Sequence, residues 1–400
     1  MAQNKLISNG AVAALVFGLM ALGNAGSTLY LPALIEISEQ MGATSGQLQL
    51  TLACYLLSYG GSQFFYGPLS DAFGRKKILL IGISIFLVGT LISALSVNIE
   101  MLMLGRFIEG LGMGSANTAG YAIIRDVYQG TALSKVFSYA SVFVGMTPIV
   151  APFIGGLLVE HINWQSCFYA LFLIVLLLLL LVKFKLYETN KHVNPSSFKL
   201  SNVLSNYCLL ISSRIYMGSV LATSFAFAAV IVVNNMMPFL ITKQFDLTPT
   251  SYGLMTIFTG SGYFLGAYAS GFLAVKFGRS FTIFYGCAIQ LLVIIISLLR
   301  GYDDLGLIEI ILTFGAFLHG VGIVVPTATG GSMEPFPKIS GSESALLGVF
   351  MYSFSAIFSA ICSHVPNSSL CYTMALLAML FLLTLGANLM VKFSKKKSGV

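Results

Sequence analysis

The sequence predicts an all-α membrane protein whose twelve transmembrane helices form two pseudo-symmetric six-helix bundles. Three observations carry that prediction. Charged residues are only 9% of the 400 positions and hydrophobic residues are 57%, whereas a soluble domain carries roughly 25% charged residues. So few charges cannot cover a water-facing surface, which makes lipid the solvent. Apolar runs of about 20 residues, the length a helix needs to cross the hydrocarbon layer, recur along the whole chain. Finally, the second half of the chain repeats landmarks of the first.

The spans fall at residues 10–34, 50–68, 78–97, 101–124, 135–158, 165–184, 216–240, 252–275, 281–299, 306–328, 343–363 and 369–391. Their apolar runs are continuous rather than alternating, which excludes a β-barrel. The first run is too long for a secretory leader, has only Lys5 before it and shows no small-residue cleavage site, so it is read as the first helix. If the N-terminus is cytoplasmic, 18 of the 21 Lys and Arg fall in inner loops and tails, among them Arg75, Lys76, Lys77, Lys276, Arg279 and Lys395. Seven of the 14 acids then lie outside. The excess of inner cations places both termini in the cytoplasm. This topology accounts for the net charge of +7 without a nucleic-acid partner; contact with anionic lipid is the further role open to those cations. The six cysteines have no paired ligand spacing and read as small buried hydrophobes. No metal site and no cofactor is expected.

The stretch 185–215 breaks the apolar pattern with Lys185, Glu188, Lys191, His192, Asn194, Pro195, Lys199 and Arg214. It reads as a cytoplasmic linker between an N-terminal bundle (1–184) and a C-terminal bundle (216–391), with a basic cytoplasmic tail at 392–400. Gly67-Pro-Leu-Ser-Asp-Ala-Phe-Gly-Arg75 and Gly271-Phe-Leu-Ala-Val-Lys-Phe-Gly-Arg279 share glycine, leucine, phenylalanine, glycine and arginine at a constant offset of 204. Both stretches end the second span of their half, so a six-helix unit is duplicated in parallel.

Several motifs stand out along this frame. Gly67, Asp71, Gly74 and Arg75 suit a loop that latches a gate: the glycines allow close approach and a tight turn, and Asp71 and the cations can meet helix ends or opposite charges. Arg125 and Asp126 lie at the same side of the membrane. Arg106 and Glu109 lie about 8–13 Å into the fourth span, and their spacing of three puts them on one face. Ionisable groups at that depth face a cavity or each other. Pro148, Pro152, Gly155 and Gly156 bend the fifth span and permit close helix packing. Tyr30, Tyr55, Tyr59, Gln63, Asn117, Tyr121, Asn234, Asn235 and His319 are the candidates for a substrate cavity. Gly110-Leu-Gly112-Met-Gly114 and Gly260-Ser-Gly262 look like dinucleotide fingerprints, but without a strand-helix-strand context they read as helix-packing sites. No phosphate-binding Gly-Lys-Ser/Thr loop, His-Glu-x-x-His or Cys-x-x-Cys occurs, and no catalytic cluster marks an enzyme.

Gly67-Pro-Leu-Ser-Asp71-Ala-Phe-Gly74-Arg75-Lys76-Lys77 resembles the signature loop of the major facilitator superfamily. Tyr30-Leu-Pro-Ala33, Arg106-Phe-Ile-Glu109-Gly110, Arg125-Asp126 and Ala151-Pro152-Phe-Ile-Gly155-Gly156 resemble its Bcr/CflA drug-exporter subfamily, densely over residues 28–165 and thinly beyond. The resemblance implies a monomeric secondary transporter of a bacterial inner membrane. It would expel small organic molecules by alternating access, in antiport with protons. It implies a proton-coupling role for the arginine at 106. The family commonly has glutamine where this chain has Glu109, so two readings stand: Glu109 titrates with Arg106 as its charge partner, or the two form a static ion pair. The resemblance also makes 148–156 an antiporter signature. Many relatives carry an acid in the first helix just before the Tyr-Leu-Pro, where this chain has Ser27-Thr28-Leu29. That departure keeps open a dedicated metabolite or siderophore exporter, or a nutrient importer, of the same superfamily.

Overall fold

The computed structural model describes residues 7–190, 200–242, 244–301, 305–333, 340–366 and 370–397. Among the described residues all regular structure is helical. The helices are α1 (Asn9–Thr28), α2 (Leu34–Met41), α3 (Ser45–Phe73), α4 (Arg75–Ala94), α5 (Ile99–Val127), α6 (Gly130–His161), α7 (Gln165–Lys185), α8 (Leu200–Ser212), α9 (Arg214–Ile241), α10 (Pro249–Phe277), α11 (Arg279–Arg300), α12 (Leu307–Ser332), α13 (Ser340–Cys362) and α14 (Leu370–Lys397). Counting α1 with α2 as one crossing and leaving out the short α8, twelve helices are long enough to span a bilayer. Nine of them, among the described residues, are apolar enough to be recognised by hydropathy alone. The other three are α3, α5 and α10, each of 29 residues, or about 43 Å. Their buried faces are rich in small and polar residues, Gln49, Thr51, Ser58 and Gln63 in α3, Gly110, Gly112, Gly114 and Ser115 in α5, and Gly253, Thr256, Thr259 and Ser270 in α10.

The predicted first span, 10–34, is not one helix. It breaks at Leu29, makes a single 3-10 turn over Leu31–Ala33 and continues as α2. Pro32 has no N–H to give and fixes its own φ, and the tighter turn absorbs the mismatch. Gly42, at φ 63°, closes α2 in the left-handed conformation that glycine adopts without strain.

The duplication predicted from the 67–75 and 271–279 stretches is visible in the backbone. α3 and α10 are equally long, and each is capped by a threonine, Thr44 and Thr248, whose side chain accepts an N–H of the first turn. Each ends in a one-residue turn at a positive-φ glycine, Gly74 at 98° and Gly278 at 81°. The next helix starts at once, at Arg75 or Arg279. One apolar core runs from Val12 to Ala387 and includes both halves.

The end of the molecule that carries Arg75, Lys76, Lys77, Lys183, Lys185, Lys276 and Arg279 is called the basic end, and its opposite the far end. The segment predicted as a linker contains α8 and the start of α9. α8 packs at the basic end, with Tyr207 against Phe64 of α3 at 4.8 Å between ring centres. Residues 191–199, including Lys191, His192, Asn194, Pro195 and Lys199, lie outside the described residues. In the predicted tail, 392–397 continue α14, and 398–400 lie outside the described residues.

Candidate functional site

The two halves meet chiefly through α3 with α13 and α6 with α10. At the far end, Gln49 Nε2 donates to the backbone oxygen of Asn235 at 3.3 Å. Asn235 Nδ2 donates to Ser359 Oγ at 2.6 Å, and that hydroxyl donates back to the Gln49 carbonyl at 3.2 Å. All three side chains are buried, so this ring of bonds ties α3, α9 and α13 together away from water. Asn235 therefore belongs to the far-end contact. Its neighbour Asn234 is half-buried.

Half-way along α3 and α13, tyrosines bridge the halves. The Tyr59 and Tyr352 rings lie 4.2 Å apart, Tyr55 stands 5.9 Å from Tyr59, and Phe227 stands 5.8 Å from Tyr352. Gln63 is buried beside them. Its Oε1 accepts from Asn117 Nδ2 at 3.4 Å and lies against Gly348 of α13, where an added Cβ would displace the Gln63 amide. Asn117 and Tyr121 are half-buried on α5. His319, on α12, bonds through Nδ1 to the Gly262 carbonyl of α10 at 3.2 Å. Tyr30 is buried inside the N-terminal half, with its hydroxyl on Thr51 at 2.9 Å.

Arg106 and Glu109 form an ion pair in α5, and both side chains are fully buried. The guanidinium lies 4.4 Å from the centre of the Tyr30 ring, 4.3 Å from that of Tyr55 and 5.9 Å from that of Phe168. A delocalised cation over aromatic faces is attracted by their quadrupoles, by about 2 kcal/mol or more once desolvated. Arg106 thus has two sources of compensation, its carboxylate and its cage. The Tyr55 hydroxyl donates to the Gly23 carbonyl at 2.7 Å, which fixes one wall of the cage against α1. α4 comes close because Gly89 and Gly105 leave room: a Cβ on Gly89 would run into the backbone of Glu109.

The loop at 67–77 is held by charge. Arg75 Nη1 pairs with Asp71 at 2.5 Å and donates to Ser70 Oγ at 2.7 Å, while its Nε reaches Asp126 at 3.4 Å. Asp126 also accepts from Thr189 Oγ1 at 2.9 Å. The residue missed by sequence reasoning is Glu188. Its carboxylate accepts the N–H of Arg75 at 2.9 Å and that of Lys76 at 3.1 Å, which are orphan donors at the start of α4. Asn190 Nδ2 adds a bond to the Asp71 carbonyl at 3.1 Å. Residues 186–190 therefore clasp the loop. The loop glycines have different duties: Gly74 supplies the turn, and Gly67 faces Ala345 of α13, where an added Cβ would stand 3.9 Å from the alanine Cβ. Arg125 lies over the Phe137 ring at 5.9 Å.

In α6, Pro148 and Pro152 lie inside a continuous helix. Gly155 is seated against the Leu29 carbonyl, at the break after α1, and Gly156 against that of Pro249 in α10. Gly110, Gly112 and Gly114 let α5 touch α3 and α4, so the Gly-x-Gly-x-Gly run is a packing device.

The Major Facilitator Superfamily model matches residues 14–361. The chain belongs to the Major Facilitator Superfamily. It is 27% identical to Multidrug resistance protein D of Escherichia coli (strain K12), over 91% of this chain and 92% of that one. It is 25% identical to the Bicyclomycin resistance protein homolog of Haemophilus influenzae, over 84% of each. Both likenesses agree with the Bcr/CflA resemblance read from the motifs. Among solved structures, that of a D-xylose-proton symporter superposes with a TM-score of 0.75 at 15% identity and covers 96% of this chain and 98% of that one. At that identity the likeness shows the fold. The chain is thus a multi-pass membrane transporter of this superfamily and not an enzyme.

Two further residues escaped sequence reasoning. Tyr352 faces the junction from α13, and Glu343, in the first turn of α13, is fully buried. Glu343 carried a signal, being a lone acid at the edge of an apolar span; Tyr352 carried none.

Proposed function

We propose that this transporter expels small organic, drug-like molecules from the cytoplasm of a bacterial cell in exchange for protons, by alternating access. The basic end is the cytoplasmic one, so both termini lie inside. The halves rock about the tyrosine-lined junction of Tyr59, Tyr121 and Tyr352, and the far-end ring of Gln49, Asn235 and Ser359 breaks when the molecule opens outward. The loop at 67–77, with Asp71, Arg75 and Asp126, latches the cytoplasmic side.

The observation that carries the proton part is the Arg106–Glu109 pair. A carboxylate with no exposed surface is tolerated at this depth only while a cation or a proton neutralises it. Protonation of Glu109 releases Arg106 to its tyrosine cage, and the cage wall contains Tyr55, which is continuous with the junction through Tyr59. A proton can bias the two states only by its differential affinity for them, and a site wired to the junction has such a differential. The names of the relatives support the drug-like substrate. Ser27 and Thr28, where many relatives have an acid, turn their hydroxyls back onto the Asn24 carbonyl at 2.8 Å and 2.9 Å, so among the described residues of α1 and α5 Glu109 is the one fully buried carboxylate.

The test has two arms. In an efflux-deficient bacterium, expression of the gene should raise tolerance to a panel of organic cations and antibiotics. In proteoliposomes with an imposed pH gradient, ethidium should be concentrated by the native protein and only equilibrated by Glu109→Gln. Unchanged concentrative transport by the variant excludes Glu109 as the coupling group. No change in tolerance to any compound favours the dedicated metabolite or siderophore exporter.

A further inference from the structure

Glu343 has no part in the site described above, yet it is the one buried charged side chain of the C-terminal half among the described residues. It is 0% exposed, and among the described residues neither of its carboxylate oxygens has a hydrogen-bond donor. It sits in the first turn of α13 at the basic end, beside the buried cluster of Tyr207, Leu210, Tyr216, Val220, Leu346 and Leu347. The Tyr216 hydroxyl bonds to its backbone oxygen at 2.8 Å, not to its carboxylate. The cation whose field reaches it is Arg125, on α5 of the other half. The other titratable groups around this pair are Tyr121 of α5, Arg75 of α4, Tyr207 of α8 and Tyr216 of α9.

A carboxylate taken out of water with no N–H or O–H to receive it is disfavoured in its ionised form. A static structural role would supply those donors. Here the position straddles the moving interface. α13 packs on α3 through Gly60, Gly67 and Gly348, with Arg125 beyond, so separation of the halves at the basic end uncovers Glu343 to water.

We propose that Glu343 is a second proton site, in the C-terminal half, which holds its proton while α13 is packed on α3 and gives it to the basic-end water when they part. The balance is simple: the carboxylic acid loses H⁺ to water on opening, and the carboxylate, hydrated and facing Arg125, takes one back before closing. The inference rests on the alternating-access reading. It adds that protons are handled in both halves, by Glu109 and by Glu343.

The contact itself supplies the test. An added Cβ at Gly67 would stand 3.9 Å from the Ala345 Cβ, and disulfides span about 3.8 Å between Cβ atoms. Gly67→Cys with Ala345→Cys, in a background where exposed Cys208 and Cys371 are serine, locks α13 on α3 when oxidised. Infrared difference spectra between acidic and alkaline pH, taken on the purified protein in nanodiscs, read the C=O band of protonated carboxyl groups. With the lock reduced, one band should titrate that is absent from Glu343→Gln and shifted in Glu343→Asp. With the lock oxidised, that band should persist at alkaline pH. Identical spectra for native and Glu343→Gln overturn the site. A band that titrates equally in both redox states overturns its gating. The measurement uses no substrate, so a protein that fails to move ethidium can still show the band, and the two failures are distinguishable.

Discussion

The far-end contact between α6 and α10 can be perturbed in one state of the transporter and not in the other. A Cβ added at Gly253 would lie 2.6 Å from the Phe153 Cα and 2.6 Å from the Pro152 carbonyl oxygen. Carbon atoms in good contact are at least about 3.5 Å apart, so Gly253→Ala forces the two helices apart by about 0.9 Å. The obstacle is backbone on both sides, and no side chain can swing away. Overpacking of this kind costs about 1–3 kcal/mol. The cost falls only on arrangements in which the far end is closed. The gain in helix propensity from replacing glycine is common to all states and cancels. A state-selective penalty of about 1–3 kcal/mol shifts a two-state equilibrium by about 5- to 150-fold. The assay is the rate at which a membrane-impermeant maleimide, added from the far side, labels the thiol of Met236→Cys, a fully buried position under the far-end ring. With fast opening and closing, this rate follows the open population and should rise by that factor in the Gly253→Ala background. An unchanged rate would mean that the α6–α10 contact is kept in every state. The halves would then not rock about the junction as argued.

Two further outcomes follow from the pairings at the basic end and in α5. Glu188→Ala strands two N–H donors at the start of α4 and removes an anion from a helix N-terminus; it should lower stability by about 1–2 kcal/mol, read as a fall in the thermal unfolding midpoint, with Glu188→Gln between it and the native protein. Arg106→Leu leaves Glu109 buried without its cation and should cost about 3–5 kcal/mol. Adding Glu109→Gln to it should return much of that loss in a double-mutant cycle, and strict additivity would show that the pair is not coupled.

The sequence held the fold because the physics of the bilayer is one-dimensional: length and apolarity define a crossing. It also held the duplication, because the turn after α3 and after α10 needs glycine at positive φ, and Gly74 and Gly278 say so directly. The break at Leu29 was harder to see, since the apolar run continues through it and only Pro32 marks it. Within the site, Arg106 and Glu109 were legible from a spacing of three on one helix. What surrounds them was not. By sequence Tyr30 and Tyr55 are cavity candidates, and the structure packs them over the Arg106 guanidinium. That contact depends on how α1 and α3 cross α5, which the three stretches do not encode separately. Glu188 was legible as an acid in a polar segment, yet its place at the start of α4 depends on the chain returning after α7 to the loop at 67–77.

The two halves kept the same backbone and divided the chemistry. The turn at Gly74–Arg75 is repeated at Gly278–Arg279, but the position of Asp71 is taken by Val275, which is 90% exposed. The carboxylate of the Arg75 clasp is therefore not repeated at the matching position of α10. The counterpart of α5 is α12, whose only charged residue is Glu309, in its first turn, where it accepts the N–H of Gly306 at 2.9 Å. Nothing like the Arg106–Glu109 pair is built there. A symmetric machine would have equal reasons to keep charge in both bundles, because buried ionisable groups cost the same in each. Their removal from the C-terminal bundle relieves that cost wherever the charge has no task. On this argument Glu343 is the exception that must be explained: it persists, buried and without a hydrogen bond to its carboxylate, at the one helix of the C-terminal half that packs on both α3 and α5. Its cost is tolerated where the interface opens, and nowhere else in that bundle is a carboxylate so placed among the described residues.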